Sequence, residues 1–267
     1  MAKSEPTMTK VADAKKKAQS QVRAQERRAM AVWVVIGVVV VALFAALVAY
    51  IVRQGDVDAV TSGDQSTPTI ASDNGGFAVG TAGVVGEGLD DSHVRLDIYL
   101  DFMCPICGTF EEYRGAEIDA LREAGALDVY YHPISILDSY SQGTAYSTRA
   151  ASAAALVAEE SPETFLAFAT ALFASQPEEN STGLTDAEIQ AIATSAGVPD
   201  DVVAKIPDYA YSSWVRSATE QASVDGVGGT PTLALNGVIQ DPQNNADDLN
   251  WGTDGAIAAA VQALAGQ

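Results

Sequence analysis

Residues 101–110 read DFMCPICGTF and hold both cysteines of a 267-residue chain, Cys104 and Cys107. The residues before them alternate. In HVRLDIYLDF, residues 93–102, Leu96, Ile98, Leu100 and Phe102 fall on one face and Arg95, Asp97, Tyr99 and Asp101 on the other. A period of two predicts a strand. The residues after them predict a helix from about Pro105 to Ala124, stopped by Gly125. The thiols therefore sit where a strand hands over to a helix. The first turn of a helix leaves four N–H groups unpaired, and its dipole favours negative charge there. A thiol in that place ionises more easily, and the thiolate is the species that attacks a disulfide. Two intervening residues bring the second sulfur within bonding reach of the first. Cys104 is expected to be the exposed, attacking thiol, and Cys107, one turn deeper, the thiol that resolves a mixed disulfide. Pro105 suits the first helical position, where its missing N–H costs nothing.

Other readings of the pair are weaker. An inert disulfide closing so short a loop would constrain the unfolded chain little. A zinc half-site would need partners, and the chain offers only His93 and His132, without paired ligand spacing. No metal and no cofactor is expected. Two ordinary buried thiols fit neither the spacing nor an exported, oxidising setting.

Export follows from the N-terminus. From Ala29 to Val52 runs AMAVWVVIGVVVVALFAALVAYIV, with no charged residue. A helix of about 20 apolar residues spans a bilayer core. Trp33 and Tyr50 lie near its ends, where amphipathic rings prefer the interface. Lys15, Lys16, Lys17, Arg23, Arg27 and Arg28 precede it, which orients the N-terminus to the cytoplasm and the remainder outward. The run exceeds the apolar region of a cleaved signal peptide, about 7–15 residues, and no A-x-A site closes it. The expectation is an uncleaved single-pass signal anchor in the cytoplasmic membrane, with the catalytic domain extracytoplasmic. Formal net charge is −20, yet nine of the 15 basic residues lie before residue 54, against three acids. The body is thus strongly acidic, which argues against nucleic acid as a partner.

The expected organisation is a basic cytoplasmic segment (1–28), a transmembrane helix (29–52), a Gly/Ser/Thr/Asp-rich flexible tether (53–76) and one folded domain (77–267). DVYYHPISI, residues 128–136, reads as a second strand. A helical block follows, about 144–225. Within it Ser161 and Pro162 mark one helix start, Thr185 and Glu188 are spaced as a capping box, and Gly197 is a stop. PTLALNG, residues 231–237, is a strand turning at Asn236-Gly237, with VIQ pairing back. An amphipathic helix over about Thr253 to Leu264 closes the chain.

DFMCPICGTF together with GVGGTPTLALNG, residues 226–237, resembles the DsbA-like thiol–disulfide oxidoreductases of the thioredoxin superfamily, in particular their membrane-anchored actinobacterial forms. The resemblance runs from about Phe77 to Ala265. It implies an α/β thioredoxin-like fold with an inserted α-helical block, and an enzyme whose redox-active centre is Cys104 and Cys107. It also implies a cis Thr230-Pro231 bond facing the Cys-x-x-Cys, with Thr230 and Pro231, beside Pro105 and Ile106, meeting the substrate chain. Exported protein thiols would be the substrates, and a membrane quinone-linked partner would restore the disulfide. A disulfide reductase or isomerase, or a non-catalytic peptide-binding envelope module, are the alternatives.

Two departures matter. The strongly oxidising archetype has Pro-His between its cysteines where this chain has Pro-Ile, and isoleucine neither donates a hydrogen bond nor carries charge. A less extreme Cys104 is expected. The family's frequent buried acid, six residues before the first cysteine, is replaced by Ile98, leaving Asp97 and Asp101 as candidate proton relays. Phe102, Met103, Ile106 and Phe110 are apolar around the site, where a collar would suit unfolded substrate segments, but Phe102 and Phe110 are expected in the core rather than at the surface.

Overall fold

The computed structural model describes residues 66–265. The basic segment, the apolar run and most of the tether lie outside the described residues. Among those described, no helix is long and apolar enough to cross a membrane.

Five strands form one sheet: β1 (Phe77–Val79), β2 (Val94–Leu100), β3 (Leu127–Pro133), β4 (Thr232–Leu235) and β5 (Val238–Ile239), in spatial order β1-β3-β2-β4-β5. β2 and β3 are parallel and the other pairs antiparallel. The parallel pair is joined by α1 (Pro105–Glu123), the crossover that such a pair requires. α1 ends as its sequence predicts. Gly125 takes φ +71°, its N–H donates to Arg122 O, and Ala126 N–H donates to Leu121 O, closing a Schellman motif. The β4–β5 hairpin turns on Asn236 and Gly237, both at positive φ, as a two-residue primed turn demands.

Between β3 and β4 lie α2 (Tyr146–Glu160), α3 (Phe165–Ala174), α4 (Asp186–Ser195), the single turn α5 (Asp200–Val203) and α6 (Ser212–Val224). α7 (Ala256–Ala265) follows the sheet. The Thr185–Glu188 capping box at the start of α4 is present in both directions. Ser161 and Pro162 begin a short 3₁₀ turn, and α3 proper starts at Phe165. α2 is buried over nearly its whole length, from Tyr146 to Ala158. Its alanines let neighbouring helices approach on every side, so it acts as the axis of the helical block rather than as a surface helix. Phe77 ties block to sheet, with ring centroids 5.5 Å from both Phe165 and Trp214.

β2 is the central strand, and both of its faces are buried. The polar-looking face holds a closed network. Asp97 Oδ1 lies 2.8 Å from His132 Nε2 and 2.6 Å from Arg95 Nη2, and Asn74 Nδ2 donates to it at 3.2 Å. His132 in turn stacks on Tyr99 at 4.2 Å. This network corrects the expected extent of the tether. Gly76 passes so close that a Cβ there would lie 2.6 Å from His132 Nε2, and Ile70 N–H donates to Glu159. The last residues before Phe77 are part of the folded body, because the buried Asp97 and His132 need cover.

Burial opposes the charge on Asp97, but the hydrogen bonds from His132 and Arg95 outweigh it and hold the carboxyl down at about 2. A folded-state value below the ordinary 3.8 means that the stabilisation is complete above that value and disappears as pH falls toward 2. Urea unfolding from pH 5 to pH 2 should show a loss of about 2 kcal/mol that is absent from Asp97→Asn. Identical pH curves for the two proteins would contradict this account of the network.

Candidate active site

Asp101, at the end of β2, builds the turn that carries the cysteines. Its backbone carbonyl accepts from Cys104 N–H at 2.9 Å, and its Oδ1 accepts from Met103 N–H at 2.8 Å, an Asx-type turn. Its Oδ2 accepts from Leu137 N–H at 2.9 Å and so pins the loop after β3 to the same turn. Cys104 is the N-cap residue of α1, in extended conformation, and Pro105 occupies the first turn. The carbonyl of Cys104 accepts from Cys107 N–H at 3.0 Å and Gly108 N–H at 3.2 Å. The strand-to-helix handover expected from DFMCPICGTF is therefore present, and no acidic residue stands in the first turn to oppose a thiolate.

Thr230-Pro231 is a cis peptide, as the resemblance implied. It places the Thr230 carbonyl 3.2 Å from Cys104 Sγ, which donates to it in the thiol form. The structure corrects the expected exposure of the attacking thiol. Cys104 is only 6% exposed and Cys107 1%. The loop before β4 covers Cys104 from one side and the apolar core closes it from below. Of the apolar residues around the site, Phe102 and Phe110 are core residues as expected, Met103 is buried with them rather than in a collar, and of these four only Ile106, 55% exposed, stands at the surface.

The two sulfurs, both free thiols, differ sharply in acidity. The Cys107 thiol, donating to the Cys104 sulfur, is the strongest influence on Cys104; burial works against it, and the Thr230 side chain and the N–H groups of Cys107 and Ile106 assist. The result is a thiol pulled down to about 6. Burial, and then the neighbouring Cys104 sulfur, push Cys107 far up. The pair is an acidic outer thiol and a protonated inner one, the arrangement that separates attacking from resolving sulfur.

Of the two candidate relays, Asp97 is committed to His132 and Arg95. Asp101 belongs to the cysteine turn, and burial pushes its carboxyl up to about 7. Thr230, Pro231 and Ile106 line one groove, a cavity of about 510 Å³ shared with Gly228, Gly229 and Trp251. Pro105 does not join them. It faces a second cleft between α1 and α3, with Gly108, Thr109 and Phe173. Gln176, just past α3, was not legible as a site residue. Its Nε2 donates to Phe102 O at 3.0 Å and Cys104 O at 2.8 Å, across a sequence separation that no local pattern reports.

Two results follow for the thiols. Alkylation at pH 7 should modify Cys104 and leave Cys107 intact in the folded protein. Cys107→Ala should raise the Cys104 value toward that of an ordinary thiol, read from thiolate absorbance against pH. An unchanged titration would mean that the inner thiol is not what stabilises the outer thiolate.

Residues 81–251 match the family model described as thioredoxin. The oxidised DsbA of Mycobacterium tuberculosis is 31% identical and superposes with a TM-score of 0.59, covering 72% of this chain and 93% of that one. The reduced disulfide bond oxidoreductase DsbG of the same organism is also 31% identical, with a TM-score of 0.60, covering 74% of this chain and 91% of its own. Among curated proteins, the serine/threonine-protein kinase PknE of M. tuberculosis is 31% identical over 164 residues, 58% of this chain. The match spans only 28% of that kinase. With a Cys-x-x-Cys at the head of α1 facing a cis-proline loop, and with the helical block between β3 and β4, this chain belongs to the DsbA-like thiol–disulfide oxidoreductases of the thioredoxin superfamily.

Proposed function

We propose that this protein introduces disulfides into exported proteins. The observation that carries the direction is the setting of Cys104, the N-cap residue of α1 with the Cys107 thiol one turn below it, which favours the thiolate. A thiol at about 6 is roughly nine-tenths ionised at pH 7, and ionisation stabilises the dithiol over the disulfide. Relative to an ordinary thiol, that term makes the pair more oxidising by about 30 mV. The direction is toward oxidation, and the size is moderate, in line with isoleucine rather than histidine between the cysteines.

In the proposed cycle a substrate thiolate attacks Cys104 Sγ and the Cys104–Cys107 bond breaks. Cys107 leaves and takes a proton, which its raised acidity constant favours. A second substrate thiolate then attacks the substrate sulfur of the mixed disulfide, and Cys104 leaves as a stable thiolate. The substrate has lost two electrons and two protons; the enzyme pair has gained both electrons and one proton, on Cys107, and the other proton goes to solvent. A membrane quinone-linked partner removes them again. The groove beside Thr230 and Pro231 supports a role in seating the substrate chain, and Ile106 offers it an apolar contact. The apolar run 29–52 would tether the domain to the outer face of the cytoplasmic membrane, where newly exported thiols emerge.

The test is trapping together with oxidation. Cys107→Ala should accumulate mixed disulfides with exported proteins, and Cys104→Ala should form none. Oxidised wild-type protein should restore activity to a reduced, unfolded disulfide enzyme, while either variant does so at the uncatalysed rate. Absence of adducts in Cys107→Ala, with its Cys104 still reactive toward a small disulfide, would contradict the assignment to protein substrates.

A further inference from the structure

The carboxamide of Gln176 lies against the cysteine turn from outside the sheet, at the end of α3 in the helical block. Its two N–H bonds are both used: one reaches Phe102 O and the other Cys104 O. The two carbonyls bracket Met103 and Cys104. Phe102 O lies past the end of β2, outside its ladder of strand pairs. Cys104 O is the first carbonyl of α1 and already holds Cys107 N–H and Gly108 N–H. The other end of the carboxamide is equally constrained. A Cβ built on Gly108 would lie 2.6 Å from Gln176 Oε1. Gly108 sits inside a 19-residue helix, where glycine is a poor choice for helix stability. Its missing side chain is what admits Gln176.

From this we infer that Gln176 is a positioning residue for the nucleophile: it fixes the carbonyls of Phe102 and Cys104 and so aims the first-turn N–H groups of α1 at the Cys104 sulfur. The inference rests on Cys104 as the attacking thiol and adds the residue that holds its setting. The physical reason is direct. A carbonyl oxygen carries partial negative charge, and a donor held against it lessens its opposition to an anion forming in the same turn. Gln176 supplies those donors from a preorganised side chain. It also locks the rotation of the Cys104 peptide, which decides where the Ile106 and Cys107 N–H groups point. The titratable groups around Cys104 are Cys107, one turn on in α1, and Asp101, whose carboxyl accepts from Met103 N–H within the same turn; from the loop before β4, Thr230 contributes hydrogen bonding but no titrating group. Gln176 itself does not titrate, so its effect is on geometry and local dipoles. It also links the helical block to the reactive turn, since a shift of α3 would move the carboxamide with it.

Two variants test this. Gln176→Met keeps the length of the side chain and removes both donors. Gly108→Ala keeps Gln176 but fills its seat, while improving helix propensity. The readout is the Cys104 thiolate titration, by absorbance in a Cys107→Ala background and in the otherwise intact protein, together with the pH profile of the rate of attack on a small disulfide. Each variant should move the titration upward and cut the rate at pH 6 by about threefold or more, with the rates converging at high pH where the thiol is fully ionised. The double variant should be no worse than the poorer single, because both remove the same interaction. A purely structural role would lower the thermal stability of Gln176→Met and leave the titration and the reactivity of both variants in place. Titrations of Gln176→Met and Gly108→Ala that overlay the parent overturn the inference. A parent whose Cys104 titrates like an ordinary thiol instead overturns the reading of Cys104 on which it rests.

Discussion

Everything at this site depends on one sulfur being held at the head of α1, where the Cys107 thiol and the first-turn N–H groups bear on it. The constraint is geometric before it is electrostatic. Cys104 has to stand as the N-cap residue, which requires β2 to stop at Leu100 and the chain to turn within Asp101–Cys104. Asp101 enforces that turn with three hydrogen bonds, two to N–H groups inside the turn and one to Leu137. Once the turn is set, Cys107 falls one helical turn below Cys104, and its thiol reaches back to the Cys104 sulfur. The inner cysteine thus does two things. It is the other half of the disulfide, and in the dithiol it is the strongest stabiliser of the outer thiolate. Isoleucine at position 106 contributes only its backbone N–H. A moderate rather than extreme acidity follows.

The surrounding fold serves this arrangement from three sides. The sheet brings the Thr230-Pro231 loop against Cys104 through the β2–β4 pairing. The helical block brings Gln176 to the opposite side. α7 and the Trp251 loop brace α1 from outside: Phe110 meets Trp251 edge-on at 5.3 Å, and Arg114 donates to Trp251 O and to Asp254. α1 is therefore clamped along its length, and its N-terminus has little freedom to drift. Rigid placement of a reactive group is what lets small dipoles count.

The residues that read correctly from sequence are those whose signals are local. The alternation in β2, the Pro105 helix start, the Gly125 and Gly197 stops, the Thr185–Glu188 box and the Asn236-Gly237 turn each depend on neighbours within a few positions. The residues that did not read correctly depend on contacts across the chain. Cys104 is covered because residue 230 is brought onto it. The stretch before Phe77 has the composition of a tether, yet Asn74 and Gly76 close over Asp97 and His132, a buried pair that periodicity in β2 and β3 presents as two unrelated polar residues. Met103 looked apolar enough for a binding surface, and packing puts it in the core beside Phe102 and Phe110, which were expected there. Gln176 has no signature at all, since a glutamine after a helix is ordinary; the nearest clue was a glycine at position 108, inside a helix that otherwise avoids breakers until Gly115.

The measurement that bears most directly on the proposed direction is the reduction potential of the Cys104–Cys107 pair, in protein equilibrated against glutathione redox buffers. A value in the oxidising range, about −120 to −180 mV, agrees with a stabilised Cys104 thiolate and a pair that donates its disulfide. A value near about −270 mV would mean that the dithiol is the working form, and that the protein passes electrons to its substrates instead of accepting them.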